Sequence, residues 1–145
     1  MSDQRFVYVT YIAATAQQVW DALLKGELTR QYWGHENVSD WRPGSKWQHV
    51  ADDGKRTVKL VGEVLESVPN KRLVMTWGEA VAAADKAKRS RVAIDIETVG
   101  EMVRLTVIHD ELTPQMRREI SNGWPRVLSS LKSFLETGRP LNTWA

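Results

Sequence analysis

The side chains with the widest chemical range in this sequence are three histidines, His35, His49 and His109, set among seven tryptophans. Imidazole titrates near neutral pH and serves as a general base, a metal ligand or a hydrogen-bond partner. A metal site is poorly supported, because the histidines lie far apart in the chain, no H-E-x-x-H motif occurs and cysteine is absent. There is also no G-x-S-x-G elbow, no Ser-His-Asp arrangement and no glycine-rich phosphate loop, and no cofactor is expected. Asp110 follows His109 directly, but neighbours on a strand face opposite ways, so the two form no dyad without a bulge. His49 and His109 then have two readings: ligand-binding donors or a general base in a pocket, or, more commonly, histidines that are simply hydrogen-bonded on an apolar face. His35, in a loop, is expected at the surface.

The tryptophans divide in the same way. Trp47, His49, Trp77 and His109 fall on strand faces expected to meet a helix, with Trp33 and Trp41 near one open end. Together they would line a pocket that stacks an aromatic or apolar ligand and offers it a few polar contacts. The plainer reading is ordinary core, which is favoured for Trp20, Trp77 and Trp124 and evenly balanced for Trp33, Trp41 and Trp47. Trp144 is expected to be a loosely held tail residue.

These side chains must be positioned by a few elements, the longest of which runs from Thr113 to Thr137. Thr113 caps a first helical turn, Pro114 sits where its missing N–H costs nothing, and Gly138 stops the helix. Met116, Ile120, Trp124, Val127, Leu128, Leu131, Phe134 and Leu135 repeat on one face, which requires a partner surface. Arg117 lies at the edge of that face, either guarding a pocket mouth against a ligand carboxylate or, more commonly, snorkelling to solvent. Pro125 removes one helical hydrogen bond, which predicts a bend, and Gly123 leaves space beside the inner face. The helix is thus expected to leave room under its N-terminal half and to seal the other end with Val127 to Leu135.

The remainder reads mainly as strand. Arg5 to Ile12 alternates, and a capping box at Thr15 and Gln18 opens a short helix, with Ala16, Val19, Trp20 and Leu23 at helical spacing, that Lys25 and Gly26 end. Glu27 to Trp33 is a second short helix closed by Gly34, and His35 to Gly44 reads as a loop. Strands follow at Ser45 to Ala51, Arg56 to Ser67, Lys71 to Trp77, Ser90 to Thr98 and Met102 to Asp110. The alanine-rich stretch from Gly78 to Arg89 is either a mobile loop or a marginal helical turn. Successive hairpins imply an antiparallel sheet of six strands in an α+β fold, covered by the long helix.

The chain has 145 residues with a net charge of +2, the simplest expectation being one domain, residues 1–145. Its charges are interspersed, and the basic run from Lys86 to Arg91 is short, which argues against nucleic acid as a partner. No apolar stretch approaches the ~18 residues of a membrane span, and no signal-peptide core is present, so the default is a cytoplasmic protein without a membrane partner.

The ordered set of segments IAATAQQVWDAL (Ile12–Leu23), LTRQYWG (Leu28–Gly34), WRPGSKW (Trp41–Trp47), GEVLESVP (Gly62–Pro69), RLVMTW (Arg72–Trp77), SRVAIDI (Ser90–Ile96) and GWPRVLSSLKSFLETG (Gly123–Gly138) resembles the activator of heat-shock protein 90 ATPase-like branch of the START-like superfamily. One departure is Thr15, where that family commonly has proline. The resemblance implies a helix-grip fold, a curved antiparallel sheet around the C-terminal helix with a cavity between them. It also implies a choice of functions, since relatives include lipid and hormone carriers, cyclase enzymes and a co-chaperone domain. The first expectation is binding of an apolar or aromatic small molecule by Trp33, Trp41, Trp47, His49, Trp77, His109, Arg117, Gly123 and Trp124. The alternatives are a protein-interaction domain with a protein partner, and a cyclase- or hydrolase-type enzyme using His49 or His109.

Overall fold

The computed structural model describes residues 5–85 and 88–141. Strand β1 (Phe6–Ile12) leads into helices α1 (Ala16–Leu24) and α2 (Gly26–Trp33). Six strands follow, β2 (His35–Ser39), β3 (Lys46–Ala51), β4 (Val58–Val68), β5 (Arg72–Glu79), β6 (Ser90–Val99) and β7 (Met102–Asp110), and then the long helix α3 (Pro114–Thr137). The strands form one sheet in the order β1-β7-β6-β5-β4-β3-β2, with every neighbouring pair antiparallel. This is the expected α+β helix-grip architecture, with seven strands in place of six. Trp144 lies outside the described residues.

The additional strand is β2, in the segment read as a loop. Its sequence, HENVS, has one buried residue, Asn37, and an exposed Val38, so it shows no apolar alternation. Pairing with β3 from His35↔Ala51 to Ser39↔Trp47 is what makes it a strand. Among the described residues of the stretch after β5, Ala80–Ala82 form a short helical turn.

Local signals account for the helix ends. Thr15 accepts from the backbone N–H of Gln18 while the Gln18 side chain accepts from Thr15 N–H, so the capping box satisfies two N–H groups where a proline would remove one. Thr113 Oγ1 accepts from Met116 N–H, and Gly138 closes α3 in the left-handed region at φ 81. Pro125 sits within an uninterrupted helical span. Buried Leu128 and Leu131 seal the C-terminal half of α3, whereas Met116 and Ile120 in the N-terminal half stay partly exposed.

Edge strand β1 is tied to α3 at both ends. Arg117 Nε donates to Arg5 O at 3.2 Å, Lys132 Nζ donates to Tyr11 O, and Ala13 N–H donates to Glu136 Oε2 at 2.8 Å. Arg117 also stands over the Phe6 ring. These side chains occupy backbone groups that an unprotected edge would offer to another strand.

A second local constraint lies at Gly62. The β4–β5 ladder runs through Leu60↔Glu79 and Val61↔Gly78 and resumes at Val64↔Met75. In the interval Thr76 O receives Trp47 Nε1–H at 2.8 Å, and Glu63 N–H donates to Thr76 Oγ1 at 2.8 Å. The indole of Trp47 lies across Gly62, its partner in the β3–β4 pairing. A Cβ at Gly62 would meet Thr76 O at 1.9 Å and Trp47 Nε1 at 2.3 Å. Gly62→Ala should therefore cost about 3 kcal/mol or more in urea unfolding, since neither a strand backbone nor a buried indole gives way cheaply; a loss below about 1 kcal/mol would contradict this account.

Candidate functional site

The inner face of the sheet meets α3 through a directional chain of hydrogen bonds. Trp124 Nε1–H donates to His109 Nδ1 at 3.0 Å, His109 Nε2 lies 2.7 Å from Ser90 Oγ, and Ser90 Oγ–H donates to Trp77 O at 2.9 Å. The partners fix the tautomer. The carbonyl takes the serine hydrogen, so Ser90 Oγ accepts from His109 Nε2–H, and Nδ1 holds the lone pair that the indole needs. His109 is fully buried, which pushes its pKa down to about 3, in keeping with a neutral ring. With both ring nitrogens occupied, it offers no free lone pair for base chemistry. The strand alternation that buries His109 turns Asp110 to the other face, as expected.

His49 is held by a comparable buried set. Its Nδ1 lies 2.6 Å from Asn37 Oδ1, while Asn37 Nδ2 donates to Leu23 O and Asn37 N–H to Thr29 Oγ1. Since Asn37 uses its amide hydrogens on Leu23 O, the oxygen accepts and His49 Nδ1 carries the proton. Burial, and next the neighbouring His35, lower the His49 pKa to about 3. His35 stacks on His49 at 4.5 Å and is half-buried, with Nδ1 near Trp33 O at 3.3 Å, so it is not the freely exposed loop residue expected. Sequence reasoning missed Asn37 and Ser90 as histidine partners, because neither belongs to a motif and both are brought in by strand pairing.

Around these groups the tryptophans form a continuous cluster. Trp77 is its centre, with ring centroids 5.3 Å from Trp47, 5.3 Å from Trp124, 6.3 Å from Trp33 and 5.5 Å from His109. One side of the cluster opens into a cleft of about 840 Å³ between the N-terminal half of α3 and the end of β5 with its following turn. Trp33, Trp77 and Trp124 form the apolar wall with Leu60, Ile120 and Val127, while Glu79, Lys88, Arg118 and Glu119 stand at the mouth. A Cβ built on Gly123 meets nothing within 4 Å, so this helical glycine contributes open space to the cleft.

Of the nine residues expected to line a pocket, Trp33, Trp77, Gly123 and Trp124 adjoin this cleft. Trp47, His49 and His109 lie behind the wall, buried and hydrogen-bonded. Trp41 lines a shallower depression beside α1 and β2, and Arg117 faces β1. The rim residues Glu79, Lys88, Arg118 and Glu119 were missed, since they sit in the unpatterned stretch after β5 or on the polar side of α3. Among the described residues, no group of three or more His, Cys, Asp or Glu side chains is placed to hold a metal ion, and no helix is long and apolar enough to cross a membrane.

Comparison with known proteins agrees with the fold. The family model described as Activator of Hsp90 ATPase homolog 1-like protein matches residues 13–136. No curated protein matches. Among solved structures, protein MLL2253 from Mesorhizobium loti is 26% identical at a TM-score of 0.74, with 90% of this chain and 96% of that one covered. The Aha1 dimer from Colwellia psychrerythraea is 20% identical at a TM-score of 0.75, covering 92% of this chain and 97% of that one. DynU16, a putative protein in the dynemicin biosynthetic locus, is 20% identical at a TM-score of 0.76, covering 96% of this chain but 49% of its own. The last two likenesses show the fold alone.

The two buried histidines set a measurable pH dependence. In the unfolded chain they titrate near 6.5, and in the fold near 3. The unfolded state therefore takes up protons first, so stability is fully present above about pH 6.5 and falls as the pH drops toward about 3. By about pH 5 each histidine should have removed about 2 kcal/mol, before the carboxylates contribute. Urea unfolding across that range measures it, and His109→Gln should show about half the slope. A flat profile between about pH 6.5 and 5 would contradict the neutral, buried assignment.

Proposed function

Because the chain belongs to the Activator of Hsp90 ATPase homolog 1-like protein family, we propose that it binds a small apolar or aromatic molecule in the cleft between α3 and the end of β5. The observation that carries this reading is the indole wall of Trp33, Trp77 and Trp124 facing a space of about 840 Å³ that Gly123 keeps open. A concave, mostly apolar cavity of that size with a polar rim is the usual form of a small-molecule site. The occupied ring nitrogens of His109 count against acid–base chemistry there, so the reading is binding, with no reaction assigned. Expected partners are accordingly a small hydrophobic molecule, with no nucleic acid and no membrane, and the cytoplasm is the proposed location.

Titrating lipophilic candidates while following tryptophan fluorescence tests the proposal. A saturable change is expected, and Gly123→Leu should weaken it about tenfold or more by filling the cleft. Since Cβ enters open space and a helical glycine is intrinsically unfavourable, the same substitution should leave the fold at least as stable as before. Unaltered affinity in Gly123→Leu would remove the cleft as the site.

A second reading, a protein-interaction face, is favoured by Val7, Val9 and Tyr11, which are 49%, 46% and 41% exposed on the outer side of β1. The Colwellia relative was solved as a dimer. If this face serves a partner or a second copy, Val9→Glu should abolish the association seen by sedimentation or affinity capture without lowering binding in the cleft; association unchanged by Val9→Glu would exclude the face.

A further inference from the structure

The four indoles of the cluster, three at the cleft and Trp47 behind them, differ in what their N–H groups do. Trp124 Nε1–H is bonded to His109, and Trp47 Nε1–H is bonded to Thr76 O. Among the described residues, Trp33 and Trp77 donate to no protein atom, although each ring is only 8% exposed. Neither Nε1 is among the polar atoms sealed without a partner, so each retains access to solvent, and both residues line the cleft. Two indole N–H groups that bond to no protein acceptor thus adjoin one otherwise apolar wall, where a ligand that covers them without offering an acceptor leaves them unsatisfied. Among the described residues, the mouth brings together Glu79 and Glu119 with Lys88 and Arg118, so these four side chains contribute no net charge.

We infer that the cleft selects flat apolar molecules that are neutral and carry a hydrogen-bond acceptor, such as a ketone, ester or ether oxygen, received by the indole N–H groups of Trp33 and Trp77. This rests on the reading of the cleft as a small-molecule site. The rings stack against the body of the ligand, and the acceptor supplies the partner that their donors lack. A pure hydrocarbon of the same shape would strip water from both N–H groups and return nothing to them, so it should bind more weakly. A carboxylate would gain the same donors but lose its hydration against an apolar wall.

The experiment uses the full chain with its indole nitrogens isotopically labelled, titrated with methyl naphthyl ketone, with isopropylnaphthalene as the hydrocarbon of matched shape, and with naphthoate. The ketone is expected to bind about tenfold tighter than either of the others. It should also move the Trp33 and Trp77 N–H resonances downfield well beyond those of Trp47 and Trp124, whose donors stay engaged. Trp33→Phe and Trp77→Phe, which keep a ring and delete the N–H, should each narrow the preference for the ketone while hydrocarbon affinity stays within about twofold. Equal affinity for ketone and hydrocarbon in the unmodified protein would overturn the inference and leave the binding site standing. Saturable binding of none of the three would overturn both. If a phenylalanine variant does not fold, the probe preference and the resonance shifts of the unmodified protein decide the matter alone.

Discussion

The hydrogen bond from Trp124 to His109 is the contact on which the inner architecture depends. It fixes α3 to the inner face of the sheet by direction as well as by apolar contact, as Arg117, Lys132 and Glu136 do at edge strand β1, and through Ser90 it continues to the carbonyl of Trp77. A hydrophobic seam such as Leu128 and Leu131 against the sheet tolerates sliding, because burial is non-directional. A donor that must find one lone pair does not. With the ties to β1, the bond therefore helps to set where along the helix the sealed half ends and the open half begins, and Trp77 and Trp124 meet there at a 45° tilt. All of this requires His109 neutral, and its burial supplies that condition.

The sealed and open halves together explain why a cleft exists at all. In the C-terminal half of α3, large side chains point at the sheet and fill the space. In the N-terminal half the corresponding positions are Gly123, Ile120 and Met116, opposite the diverging end of β5 and the turn at Ala80–Ala82. The cleft is thus a property of where the packing stops, and its lining comes from elements whose main task is structural.

Much of this was legible in the sequence, and the exceptions have a common cause. Helix α3 announces itself through Thr113, Pro114, the apolar arc and Gly138, all of which are local signals. The inward direction of Trp47, His49, Trp77 and His109 follows from strand alternation alone. What alternation cannot say is how far a ring travels once it points inward. Trp47 points inward as alternation requires, yet it lies behind the wall because Gly62 on the next strand makes room for its indole to reach Thr76 O. Likewise Arg117 meets β1, and β2 exists only because β3 lies beside it. Sites whose composition depends on two or more strands coming together were the ones that local pattern missed.

The pairing of β1 with β7 has a further consequence for how the molecule comes into being. Phe6 pairs with His109, and the free edge of β1 is held by Arg117, Lys132 and Glu136. Strand β1 thus waits for β7 and α3, far along the chain, before it has either a neighbour or a guard. During synthesis the hairpins from β3 to β7 can assemble in order as they emerge, while β1 remains an unmatched apolar strand for most of that time. Closing so long a loop is slow relative to forming hairpins, and it comes late. The helix that shapes the cleft is therefore also the element whose arrival covers the free edge of β1 and removes its exposure to stray pairing.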